Sequence, residues 1–258
     1  MCAILTWAGR LKRGQWRPVH QLLTEMLVAS ACRGTDATGF AALDRRHGFI
    51  IDKRACPSYV FAATSPAWAG LSYPSCLIAH CRAATHGSPH TGDNRNNHPF
   101  QNDRLAVVVN GVAANYRSVA ATRGFRLSTE CDSEVILRLV ETARTVPQGL
   151  RDCLGELAGG MAAAALDADH GCVWLMRNTD RPAWLLRLAG VDGWFVCSTR
   201  EIAERAVTKA YGRTGLRMIA FLAPLAADTV VRINGDGTLL AASEQFRPHP
   251  IVRGPRLV

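Results

Sequence analysis

No run of apolar residues in this sequence approaches the ~18 that a membrane-spanning helix needs. Stretches such as Leu105–Val109 and Met161–Leu166 end quickly. The first ten residues, MCAILTWAGR, carry no basic n-region, and Arg10, Lys12 and Arg13 break their apolar run, so they do not read as a signal peptide. No Cys-x-x-Cys occurs, which argues against a zinc ribbon or a thioredoxin-type site. A Ser-Gly-Gly-x-Asp-Ser loop and a phosphate-cradling glycine loop are also missing. Internal repeats, low-complexity tracts and a Pro/Gly/Ser linker are absent as well. Charged residues make up only 20% against 48% hydrophobic, which excludes a disordered chain, a collagen-like repeat and a highly charged coiled coil. The expectation is a soluble, cytoplasmic protein with no membrane association.

What is present is a chain of 258 residues, enough for one large domain or two small ones. Thirty Lys+Arg against 21 Asp+Glu give a formal charge of +9. The cations are scattered, densest at Arg10–Arg17 and Arg45–Arg54. Such scatter fits an arginine-rich soluble surface; a nucleotide or nucleic-acid partner is the alternative. Nine cysteines without paired short spacing argue against a disulfide framework. Most sit in apolar surroundings, as small buried hydrophobes do.

The periodicity predicts many short strands and a few helices. Ala3–Ala8 reads as a strand, and Pro18–Cys32 has helical spacing at Val19, Leu22, Leu23, Met26 and Leu27. Gly39–Leu43 and Phe49–Asp52 read as a hairpin, and Cys76–Ala79 and Leu105–Val109 as buried strands flanking a polar stretch, Arg82–Arg104. Asp132–Arg144 is predicted helical, with Thr129 and Asp132 in a capping box, and Leu150–Leu157 as a second short helix. Strands are predicted at Met161–Leu166, Cys172–Arg177, Ala183–Leu188, Trp194–Cys197, Met218–Phe221, Thr229–Ile233 and Leu239–Ala242, with a helix at Arg200–Ala210 and a turn at Asn234–Gly237. Together they suggest layered α and β packing. Phe246–Val258, with three prolines and three arginines, reads as an extended arm or frayed tail.

Three places carry chemistry. A small residue at position 2 permits removal of Met1, which would leave Cys2 with a free α-amine beside its thiol. With pKa values near ~7.7–8.0 and ~8.5, such an amine can serve as base for such a thiol. Taken alone, Cys2 also fits an incidental small residue opening a strand. The polar stretch holds His80, Cys81, His86, His90 and His98, plausible ligand types whose spacing matches no common zinc pattern. Its length and its Gly87, Pro89, Gly92 and Pro99 fit a shaped functional loop. Finally, a buried strand runs into Asn110-Gly111, a pair that suits either an oxyanion-binding amide and N–H or a simple tight turn.

In order and spacing these pieces resemble one family. Cys2 is followed by Arg33-Gly-Thr-Asp-Ala-Thr-Gly39, His80-Cys-Arg-Ala-Ala-Thr-His-Gly87, Asn97-His-Pro-Phe100, Asn110-Gly111 with Asn115-Tyr116, and Glu130-Cys-Asp-Ser-Glu134. The set is similar to the motifs of class II glutamine amidotransferases, which are N-terminal-nucleophile hydrolases. The resemblance implies an α+β fold, a four-layer αββα sandwich of two mostly antiparallel sheets between helical layers. One domain over residues 1–245 and a C-terminal arm at 246–258 are expected.

The resemblance also implies roles. Cys2 would be the nucleophile and its amine the base. Asn110 and Gly111 would form the oxyanion hole. Arg82 would hold the α-carboxylate of glutamine and Asp132 its α-ammonium. Thr85 and His86 would line the pocket, with Arg33 and His98 in support. No metal and no cofactor are implied. Ala83 stands where synthase-linked members often have Trp, Val109 where many have His, and Cys131 where Thr is usual, which marks a divergent branch. No segment reads as an ammonia-using domain, so a stand-alone glutaminase serving a separate synthase is expected. Self-association is left open. The alternatives are an amide hydrolase for another γ-glutamyl or acyl amide, and a non-catalytic glutamine-sensing or scaffold subunit.

Overall fold

The computed structural model describes residues 1–44 and 48–241. In chain order the strands are β1 (Ala3–Arg10), β2 (Ala37–Asp44), β3 (Gly48–Arg54), β4 (Cys76–Arg82), β5 (Phe100–Gln101), β6 (Leu105–Gly111), β7 (Met161–Asp167), β8 (Cys172–Arg177), β9 (Trp184–Leu188), β10 (Asp192–Cys197), β11 (Ile219–Pro224), β12 (Thr229–Asn234) and β13 (Leu239–Ala241). The helices are α1 (Trp16–Ala29), α2 (Ser58–Thr64), α3 (Pro66–Ala69), α4 (Tyr116–Arg123), α5 (Glu134–Thr142), α6 (Val146–Glu156) and α7 (Arg200–Tyr211). Short 3₁₀ turns follow α1 at Ser30–Cys32 and α7 at Arg213–Met218. No helix is long and apolar enough to cross a membrane among the described residues.

Strand alternation builds the layers. One sheet has the order β11-β9-β10-β1-β4-β2-β3 and the other β13-β12-β8-β7-β6-β5, with antiparallel pairing throughout. On β1, Leu5 and Trp7 face the α1/α7 layer, while Ile4 and Ala8 face the opposite sheet. On β6, Val107 and Val109 face the layer of α4, α5 and α6, while Ala106 and Val108 point between the sheets. Three apolar layers thus separate four structural ones, the αββα arrangement expected.

Four elements were not anticipated: α2, α3, α4 and β5. Three expected helices have different bounds. The first begins at Trp16 and tightens into the 3₁₀ turn at Ser30. The helix expected from Leu150 begins at Val146, where Thr145 Oγ1 accepts from Gln148 N–H. The helix expected over Asp132–Arg144 covers only Glu134–Thr142, and its capping box does not form. Glu134 reaches back instead and accepts from the N–H groups of Ser128 and Thr129 and from the Ser128 hydroxyl, within 2.7–3.0 Å. That bond set anchors the turn and leaves Asp132 free for other partners. Ala242 and the arm at 246–258 lie outside the described residues.

Candidate active site

The first residue of β1, the last of β4 and the last of β6 lie at one end of the sandwich. Ala3 pairs with Cys81 in register, which sets Cys2 against Arg82 and Ala83. Cys2 Sγ lies 3.4 Å from both the carbonyl and the N–H of Ala83. Arg33 Nε donates to the Cys2 carbonyl at 2.8 Å, and Ile4 N–H donates to buried Ser198 Oγ at 2.9 Å. The strand start is therefore held from both sides. Gly34 is required here, because a Cβ would lie 2.6 Å from Ala83 N and from the Arg82 carbonyl oxygen.

Burial pushes the Cys2 thiol above its ordinary pKa. The Ala83 N–H, the positive amino terminus and the Arg82 guanidinium offset this in part, while Asp132 adds to it. A thiol so placed is mostly protonated near neutral pH and needs a base. Arg82 is 2% exposed. It donates from Nη1 to Asn97 Oδ1 (2.8 Å) and from Nη2 to the carbonyls of His86 and Gly87. All three acceptors are neutral oxygens, and Nε–H with one further N–H remain for other use. The same contacts shape the polar loop. Asn97 Nδ2 donates to the Pro89 carbonyl at 2.7 Å, and Asn96 Nδ2 to the Ser88 carbonyl at 3.1 Å.

Asp132, 2% exposed, accepts from Ala113 N–H at 2.7 Å through Oδ2, and its Oδ1 lies 3.7 Å from His86 Nδ1. His86 also meets the Tyr116 ring edge-on, with centroids 5.7 Å apart. Thr85 is exposed on the same loop. Asn110 is fully buried at the end of β6, and neither its amide nitrogen nor its oxygen has a hydrogen-bond partner. Gly111 follows, where a Cβ would come within 2.7 Å of Met161 Cα. His98 is buried, its ring 3.9 Å from that of His80 and 4.6 Å from Phe100, and neither ring nitrogen has a partner. Burial, next to another imidazole and the Arg82 and Lys53 charges, holds His98 well below the ordinary histidine pKa.

Cys2 thus contacts Arg33 and the Ala83 backbone next to Arg82, and Asp132 lies beside His86. The two places are linked by the loop and by the field that Arg82 and Asp132 exert on the thiol. Sequence reasoning assigned no role to Ala83 as a backbone partner, to Asn96 and Asn97 as loop anchors or to Ser198, and it named His80 only among plausible metal-ligand types. The paired asparagines before His98-Pro99 were the available signal. Among the described residues no three His, Cys, Asp or Glu side chains converge as metal ligands.

Residues 81–199 match the glutamine amidotransferase domain family. The glutamine–fructose-6-phosphate aminotransferase of Haemophilus ducreyi is 31% identical over 160 residues, 59% of this chain and 25% of its own length. Its counterpart in Yersinia pseudotuberculosis is 30% identical over 202 residues, 76% and 32%. The chain carries a class II glutamine amidotransferase domain. It spans about a quarter to a third of the length of these curated relatives.

Two solved structures share the fold. The glutamine phosphoribosylpyrophosphate amidotransferase from B. subtilis superposes with TM-score 0.68 over 93% of this chain and 48% of its own, at 18% identity. A glutamine aminotransferase class-II domain protein from Silicibacter pomeroyi gives 0.56 over 96% and 100%, at 15%.

Proposed function

We propose that this chain hydrolyses the side-chain amide of glutamine to glutamate and ammonia in the cytoplasm, and that the ammonia passes to a separate synthase. The observation that carries the reading is the buried Arg82 guanidinium, satisfied only by neutral oxygens, beside a thiol held on the Ala83 backbone. An uncompensated buried cation next to a nucleophile suits a substrate that brings its own carboxylate. Asp132, acidic and equally buried, suits the α-ammonium of the same amino acid.

Removal of Met1 leaves the α-amine on Cys2 itself. Near its pKa of about 7.7–8.0 that amine accepts the thiol proton. The thiolate attacks the amide carbon of glutamine. The Asn110 amide, which has no partner in the protein, and the Gly111 N–H stabilise the oxyanion. One such donor contributes about 2.7–4 kcal/mol. The protonated amine returns its proton to the departing nitrogen, which leaves as ammonia. Water then cleaves the γ-glutamyl thioester to glutamate and restores the thiol.

Arg33 fixes the Cys2 carbonyl and His86 orients Asp132. Thr85 completes the rim of the glutamine pocket, and His98 packs behind the loop that bears it. Ala83, in place of a bulky ring, leaves closure of the site to the partner. The excess of cationic residues suits an acceptor that carries phosphate, such as a nucleotide. The test is glutamate release by the purified chain, alone and with products of neighbouring genes. Turnover lost in Cys2→Ala supports the reading. A wild-type chain that binds glutamine without turnover under every partner condition would make it a sensor or scaffold instead.

A further inference from the structure

The end of the sandwich opposite Cys2 gathers cations that the sequence scatters. Residues 1–24 contain Arg10, Lys12, Arg13 and Arg17 and no Asp or Glu. Residues 205–227 contain Arg205, Lys209, Arg213 and Arg217 and again no acid. The fold stitches these two acid-free segments together. Tyr211 Oη at the end of α7 donates to the Pro18 carbonyl in the first turn of α1 (2.8 Å). Gln15 Nε2 donates to the Gly190 carbonyl (2.8 Å), and Ala189 N–H to the Met218 carbonyl (2.8 Å). Gly14 N–H donates to Tyr73 Oη at 3.1 Å.

Arg10 shares a cleft with Arg187, Asp192 and Asp236, and its charge is answered there. Lys12, Arg13, Arg17, Lys209, Arg213 and Arg217 are all exposed, and none makes an ion pair among the described residues. The amino terminus of α1 opens onto the same face and adds its partial positive charge. Six like charges held together without counter-charges repel one another, and an anion on the face removes that cost.

We propose that this face binds nucleic acid, with Lys12, Arg13, Arg17, Lys209, Arg213 and Arg217 on the phosphates. A protein partner needs an apolar centre to its interface. The large exposed apolar side chains here are Tyr73, Leu216 and Phe221, 42–43% exposed, and Phe221 is taken up edge-on by Trp194, which leaves too few to form one. A phosphate backbone needs only charge. The Tyr73 ring, leaning on Trp16 with centroids 6.1 Å apart, gives an unpaired base a surface to stack on. The face lies away from Cys2, so the inference holds whether or not glutamine is the substrate.

The experiment measures binding of a labelled 20-nucleotide single-stranded RNA to the full chain by anisotropy, from 25 to 200 mM salt. Affinity is expected to fall steeply with salt, with a log–log slope near −4 if about six phosphates are contacted. The variant R13A/R17A/R213A/R217A is expected to bind at least tenfold more weakly, with a slope shallower by about 3. R126A/R144A, on exposed positions of the other helical layer, is expected to bind as the wild type does. Melting curves check that all variants are folded. No binding at 25 mM salt overturns the proposal, as does a fourfold variant that binds like wild type. A polyglutamate peptide of equal charge that binds as tightly as the RNA also overturns it, in favour of an acidic protein partner.

Discussion

His80 Nε2 donates to the carbonyl of Val109 across 2.8 Å, and the next side chain along that strand is Asn110. The bond ties β4 of one sheet to β6 of the other. A carbonyl only accepts, so the proton is on Nε2. Burial brings the His80 pKa down to about 3, so the ring is neutral and held in one tautomer. His80→Ala is expected to lower kcat for glutamine at least tenfold with little change in KM, because the ring positions the strand that bears the proposed oxyanion donor Asn110. His80→Gln, which restores an N–H donor, recovers part of the rate. Steady-state glutamate release checks both.

The proposed amino-terminal mechanism fixes a mass and a pH profile. Intact mass spectrometry is expected to find the chain beginning at Cys2; an active protein that retains Met1 contradicts the mechanism. Because burial raises the thiol and the base must be neutral, kcat/KM is expected to rise with pH through about 7.7–8.0 and to fall below it.

Arg82→Gln and Asp132→Asn each remove one charge of the proposed recognition of a zwitterionic amino acid. An unpaired buried charge costs on the order of 3–5 kcal/mol. The expected loss in kcat/KM is a hundredfold or more, read from glutamine saturation curves. Glutamine kinetics unchanged in both variants would reject the pocket assignment.

Acid stability follows from His80 and His98. Both have folded pKa values below the unfolded 6.5, so between about 3 and 6.5 the unfolded chain binds protons that the native His80 does not. Stability therefore falls as pH drops through that window, by up to about 1.4 kcal/mol per pH unit for each histidine. Urea midpoints from pH 7 to 4.5 are expected to show this slope, and His98→Phe to flatten it.

Gly34→Ala tests the close approach of two backbones. With Ala83 N and the Arg82 carbonyl oxygen 2.6 Å from the new carbon, β4 must shift at its catalytic end. A loss of about 1–3 kcal/mol is expected in denaturant unfolding, with a larger fractional loss of activity.

The sheets were legible because their strands are short apolar runs bounded by turn residues, as at Met161–Asp167 and Cys172–Arg177. The missed helices are short, and tertiary packing rather than periodicity defines them. Even so, Ser65-Pro66 at the start of α3 and Gly124 after α4 were readable caps. The failed capping box at Thr129 shows the limit of local rules: two carboxylates stood within reach of the same N–H groups, and only the fold decides between Glu134 and Asp132. The motif residues were visible as residue types in order. Their contacts through Ala83, Ser198 and Asn97 run through backbone atoms or distant segments, which a one-dimensional pattern does not encode.

β1 is the fourth of seven strands in its sheet, and its partners are β4 and β10. Leu5 pairs with Cys197, so the sheet closes around β1 only once segments from opposite ends of the domain meet, a contact of high sequence separation whose loop-closure entropy must be met before the pairing rewards it.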